Sequence, residues 1–147
     1  MKNKHTYILL SLFSMFFIVL ALSRKSVNLK NDRAIEDIKR YASSPNVIIT
    51  VNESKVTGDN RTLFINQLLE IEKIKPHHSS PINKIDVKLC VSSDSIVIDL
   101  YQDSEEPTEF WIFGNGEEEK GYREVGRINI TDKALLDILL PSLGFAE

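Results

Sequence analysis

His77 and His78, adjacent in the proline-bounded stretch 76–81 (PHHSSP), are the residues of this chain most suited to chemistry. Imidazole titrates near neutrality and is the commonest transition-metal ligand. Neighbouring loop residues rarely aim both rings at one ion, however, and no Cys/His or H-x-x-x-H spacing accompanies this pair. An acid–base site would need His77, His78 and Asp103 to converge within hydrogen-bond reach. Ser79, Ser80 and Ser104 lack the glycine-flanked turn that exposes a nucleophilic serine. The carboxylates Asp94, Asp99, Asp103, Glu105 and Glu106 form neither a calcium loop nor a spaced acid–base pair, because no tight glycine turn and no terminal bidentate position accompanies them. They are expected to be a solvated acidic edge that discourages strand-to-strand association. Cys90 is the only cysteine, which excludes an intramolecular disulfide and predicts a small core residue. The expectation is therefore no catalytic set, no metal and no cofactor, with His77, His78 and Asp103 as loop-site candidates.

A second kind of chemistry is recognition. In the stretch 109–113 (EFWIF) successive side chains point to opposite faces of a strand, so Phe110, Trp111 and Phe113 are all core only if both faces are covered. Trp111 and Phe113, with the acidic run Glu117, Glu118 and Glu119, are the expected partner-binding residues, since aromatics are enriched at protein interfaces. The basic residues crowd the first 40 positions and the later half is acidic, although the net charge is only −3. That half lacks the clustered basic surface that nucleic-acid binding requires.

The elements that must hold these residues follow from periodicity. Ala34, Ile35, Ile38, Tyr41 and Ala42 recur at helical spacing, predicting a helix over 32–43 that stops at Ser44-Pro45. The run 47–51 (VIITV) predicts a strand that turns at Asn52-Glu53 into a brief partner at 54–57. A helix over 61–75 is expected next, N-capped by Asp59 or Asn60, with Leu63, Phe64, Leu68, Leu69, Ile71 and Ile74 toward the core. Alternation of Ile85, Val87, Leu89 and Val91 with polar residues, followed by Ile96, Ile98 and Leu100, predicts a hairpin turning at 92–95. Strands over 109–113 and 122–130 follow, and Thr131 is expected to cap a closing helix over 132–140. The sum is an α+β domain with an antiparallel sheet of about four to six strands and three helices.

Ahead of the domain lies an uncharged apolar run, 6–23 (TYILLSLFSMFFIVLALS), with Lys2 and Lys4 before it and Arg24 and Lys25 after it. As a helix it is about 27 Å long, close to the hydrocarbon thickness of a bilayer, and longer than the core of an ordinary signal peptide. The bulky Phe13, Met15, Phe16 and Phe17 and the basic pair at the scissile position favour an uncleaved anchor over cleavage after Ser23. The organisation expected is an anchor over 1–25, a polar linker over 26–31 and one domain over 32–147, since about 120 residues suffice for one modest core. Arg24, Lys25, Lys30 and Arg33 argue by charge count for a domain kept in the cytoplasm. The short tail before the run argues for a signal-anchor in a membrane with the domain exported, and this is the reading preferred.

Three segments carry a resemblance. The residues His77-His78-Ser79-Ser80-Pro81, then Asp103-Ser104 with Pro107, Glu109 and Phe110-Trp111-Ile112-Phe113, then Glu124-Val125-Gly126-Arg127-Ile128, resemble the HHSSP, DSxxPxE[YF]W and E[VI]GRI motifs of a group of small uncharacterised bacterial proteins. The resemblance implies a bacterial origin and a shared fold and carries no reaction. The acidic 117–119 turn stands where that group has a more basic, tyrosine-bearing one. The functional expectation is a membrane-anchored or exported protein-binding module of immunity or inhibitor type. The alternatives are an enzyme with a site near His77 and His78, or a structural subunit of an envelope complex.

Overall fold

A computed structural model describes residues 2–73, 78–114 and 124–141, with side chains from residue 11 onward. The chain divides into two compact units, Met1–Arg33 and Ala34–Glu147. Helix α1 (Lys2–Ala42) runs through both without a break. Residues 26–31, expected as a linker, are thus helical: the stretch holds neither proline nor glycine, so nothing in it breaks the ladder of i to i−4 hydrogen bonds. Within the first unit the apolar stretch is exposed throughout its described length, with Leu12, Phe13, Met15 and Phe16 all at 59% or more. Phe13 and Phe17, one turn apart, meet edge to face at 4.8 Å.

In the second unit the last turns of α1 bury Ile35, Ile38, Tyr41 and Ala42. Ser43 N–H donates to the Lys39 carbonyl, and Pro45 denies helical geometry to Ser44, which ends the element. Strands β1 (Ile48–Val51) and β2 (Ser54–Val56) form a two-residue hairpin. Both turn residues, Asn52 and Glu53, have positive φ, the backbone twist such tight hairpins require. Helix α2 spans Gly58–Leu69. It begins earlier than expected, with Thr57 in the cap position and no side-chain capping bond, so neither Asp59 nor Asn60 is the cap. It also ends six residues short of Lys75, leaving Leu69 partly exposed while Phe64 and Leu68 are fully buried. The reason is tertiary: Glu72 leaves the helix to exchange two backbone hydrogen bonds with Arg127, at 2.8 and 2.9 Å.

Strands β3 (Pro81–Val91), β4 (Asp94–Asp103), β5 (Glu109–Gly114) and β6 (Glu124–Asn129) complete one six-stranded antiparallel sheet of order β2-β1-β3-β4-β5-β6. Helix α3 (Lys133–Leu139) closes the described fold, and its cap is Asp132, which accepts from Leu135 N–H at 3.0 Å, not Thr131. The α+β class with three helices and an antiparallel sheet is as the periodicity requires. One face of the sheet presents Ile49, Val51, Ile85, Val87, Leu89, Ile98, Leu100, Phe110, Ile112 and Ile128 to a core shared with Ile38, Phe64, Leu68, Leu135 and Leu139. Register places Tyr101 opposite Trp111, and Trp111 opposite Arg127, on the other face.

Candidate functional site

Those cross-strand pairs build a buried polar cluster on the face away from the helices. Asp103, at the end of β4, is 2% exposed. Its Oδ2 accepts from Ser79 Oγ at 2.5 Å and from Trp111 Nε1 at 2.7 Å. Its Oδ1 accepts from the backbone N–H groups of Glu105 at 2.8 Å and Glu106 at 3.1 Å, folding the 103–106 turn around the carboxylate. Burial works to raise the pKa of this carboxyl, but the bonds from Ser79, Glu105, Trp111 and Glu106 outweigh it and hold the group well below the usual carboxylate range. Asp103 was expected on a solvated acidic edge. It is instead the centre of the cluster, because a carboxylate whose lone pairs are filled by four donors loses little on leaving water.

Arg127, 5% exposed, lies over the Trp111 ring with its guanidinium carbon 4.5 Å from the ring centre. Its Nε donates to Glu124 at 2.7 Å, and its Nη1 lies 3.2 Å from Glu109 and 3.6 Å from Asp103. Burial opposes the charge, yet the carboxylates of Glu124 and Glu109 raise the Arg127 pKa further, so the cluster holds a permanent cation among three carboxylates. Trp111 is 6% and Phe113 is 8% exposed, stacked on each other at 6.3 Å, and Phe113 meets Tyr101 edge to face at 5.1 Å. These two aromatics therefore do not form an exposed binding patch. They pave the second face of the sheet, and both faces of β5 are covered. Asp99 is nearly buried as well, beside Lys84, which bridges it at 3.3 Å to Asp86 at 2.9 Å. Burial pushes the Asp99 carboxyl upward, whereas the Lys84 ammonium draws Asp86 downward.

The loop-site candidates part company. Ser79 and Ser80 dock on the end of β4: Ser104 N–H donates to the Ser80 carbonyl at 3.0 Å, and Ser80 N–H donates to Ser104 Oγ at 3.0 Å. His78 is exposed and its ring makes no hydrogen bond or ion pair among the described residues. His77 lies outside the described residues, as do Glu117, Glu118 and Glu119. Asp103 has no lone pair left for a base's work, and no three of His, Cys, Asp and Glu gather as a metal-ligand set among the described residues. Cys90 is half-buried on β3.

Sequence reasoning missed Arg127, whose side-chain partners come from strands and turns up to 24 positions away. Ser79, Asp103, Glu109, Trp111, Glu124 and Arg127, far apart along the chain, all meet in this one cluster. What the geometry defines is an α+β domain locked by a carboxylate–indole–guanidinium cluster, preceded by one helix apolar enough to cross a membrane. Comparison with family models, with curated proteins and with solved structures finds no match to this chain.

Proposed function

We propose that this chain is a membrane-anchored bacterial binding module of immunity or inhibitor type, whose domain engages a protein partner. The observation that carries the reading is the bare apolar stretch of α1, an 18-residue window of which none is buried. Continuous exposed apolar surface of this length is stable only against lipid or a partner. Retention of the helix as an anchor is supported by its unbroken run past Ser23 to Ala42, where the same element supplies core residues Ile38 and Ala42. Binding rather than catalysis is supported by the saturation of Asp103, whose carboxylate is spent on holding structure. Since Trp111 and Phe113 are buried, the contact role passes to the acidic run Glu117 to Glu119, with the domain on the exported side.

Mass spectrometry of the native protein, with protease protection in intact spheroplasts, tests the anchor and its sidedness. A start at Met1 with a protease-sensitive domain supports the reading, and a start at Arg24 overturns the anchor. For the partner, replacing Glu117, Glu118 and Glu119 by Gln should abolish co-purification while leaving the melting temperature unchanged. Undiminished co-purification would refute the acidic contact.

A further inference from the structure

Beyond the end of the apolar run, α1 continues as a helix through Arg24, Lys25, Lys30 and Arg33, all exposed, with Asp32 the one carboxylate among them. At about 100° per residue the four cations stand at roughly 0°, 100°, 240° and 180° around the axis, so no side of the helix is without one. Taking Arg24 as the first residue past the hydrocarbon, Lys25 is about 1.5 Å, Lys30 about 9 Å and Arg33 about 13.5 Å farther along the axis. The headgroup layer is about 5–7 Å deep. Arg24 and Lys25 fall inside it. Lys30 lies just beyond, but Cα–Cβ bonds tilt toward the helix N-terminus, which here is the membrane side, and the long stem reaches back. Arg33 stands about 6.5–8.5 Å beyond the layer, close to the roughly 8 Å Debye length at physiological ionic strength, so its share is the smallest.

From this arrangement, and resting on the membrane reading above, we propose that residues 24–33 form a collar that binds anionic phospholipid headgroups. The continuity of the helix is what makes the collar: as a flexible linker the same residues would carry Lys30 and Arg33 away from the surface. Recognition is by charge, with net +3 over ten residues meeting phosphodiester headgroups, and it selects anionic over zwitterionic lipid without a pocket for either.

The test uses the full chain reconstituted in bilayers of phosphatidylcholine with 30% phosphatidylglycerol, reading the fraction of spin-labelled lipid immobilised by the protein. Labelled phosphatidylglycerol should be immobilised about three- to fivefold more than labelled phosphatidylcholine in 50 mM salt, and the preference should fall toward unity in 0.5 M salt. The variant R24Q/K25Q/K30Q/R33Q should lose the preference while still immobilising lipid, and K2Q/K4Q should keep most of it. Immobilised lipid without preference overturns the collar and leaves the membrane reading standing. A preference kept by the fourfold Gln variant also overturns it. No immobilised lipid of either kind overturns the membrane reading and the collar together. Unchanged Trp111 emission in each variant confirms an intact domain.

Discussion

Replacing Asp103 by Asn tests whether the buried cluster holds the domain together. Asn has the same shape but exchanges one acceptor oxygen for an NH2 donor. With the amide oxygen toward the turn, the backbone N–H groups of Glu105 and Glu106 stay satisfied, and the new NH2 faces Trp111 Nε1, which sits 2.7 Å from Oδ2 in the parent. With the amide reversed, the indole is satisfied and two backbone N–H groups face a donor. Either way at least one buried N–H is left without an acceptor, at a cost of about 1–3 kcal/mol. Arg127 also loses a counter-charge 3.6 Å away, although Glu109 and Glu124 remain. Ser79 can turn its hydroxyl to accept instead, so its bond is recoverable. The sum is about 3 kcal/mol, or a fall in Tm of about 10 °C for a domain of this size.

The assay is thermal unfolding of the full chain in detergent, followed by intrinsic fluorescence, and Trp111 is the single tryptophan, so the signal comes from the cluster itself. The pH dependence adds a second reading. The folded-state pKa of Asp103 is depressed below its unfolded value, so its contribution is complete above the unfolded value near 4 and is lost as pH falls further toward the folded one. The parent's advantage over Asp103→Asn should therefore begin to shrink below about pH 4 and go on shrinking as the pH is lowered further. A variant that melts within 1 °C of the parent at pH 7 with an unshifted emission maximum would show that the carboxylate holds nothing.

Gly126→Ala should be as damaging without touching any charge. An added methyl would lie 2.7 Å from the Glu72 carbonyl oxygen and 2.7 Å from Ile71 Cγ2, forcing apart the backbone pairing of Glu72 with Arg127. A loss of about 1–3 kcal/mol is expected in the same melting experiment, and a neutral result would mean the pairing is dispensable. Asp132→Ala should cost about 1 kcal/mol by removing the cap of α3, while Thr131→Ala should stay within about 0.5 kcal/mol; chemical denaturation of the pair checks the order. Met15→Asp with Phe16→Asp places two carboxylates midway along the apolar run, at about 3 kcal/mol each in a bilayer centre. The chain should then move from the carbonate-resistant membrane fraction to the soluble one.

The sequence by itself determined the apolar N-terminal helix, the strands of the sheet and the α+β class, because each rests on local pattern: an uncharged run, alternation at period two, and helical spacing in residues such as Ile35 and Ile38. Turn chemistry was equally local at Asn52-Glu53. Only the tertiary structure decided where α2 stops, since Glu72 is drawn off to pair with a strand 55 residues later. Only it decided that Asp132 rather than Thr131 caps α3 and that Trp111 is paved over. The fate of Asp103 shows the physical reason most plainly. A carboxylate between a strand and a turn is solvated by default, and burial becomes favourable only when Ser79, Trp111 and two backbone amides converge on it. Ser79 and Trp111 stand 24 and 8 positions away, and no pattern along the chain encodes that convergence.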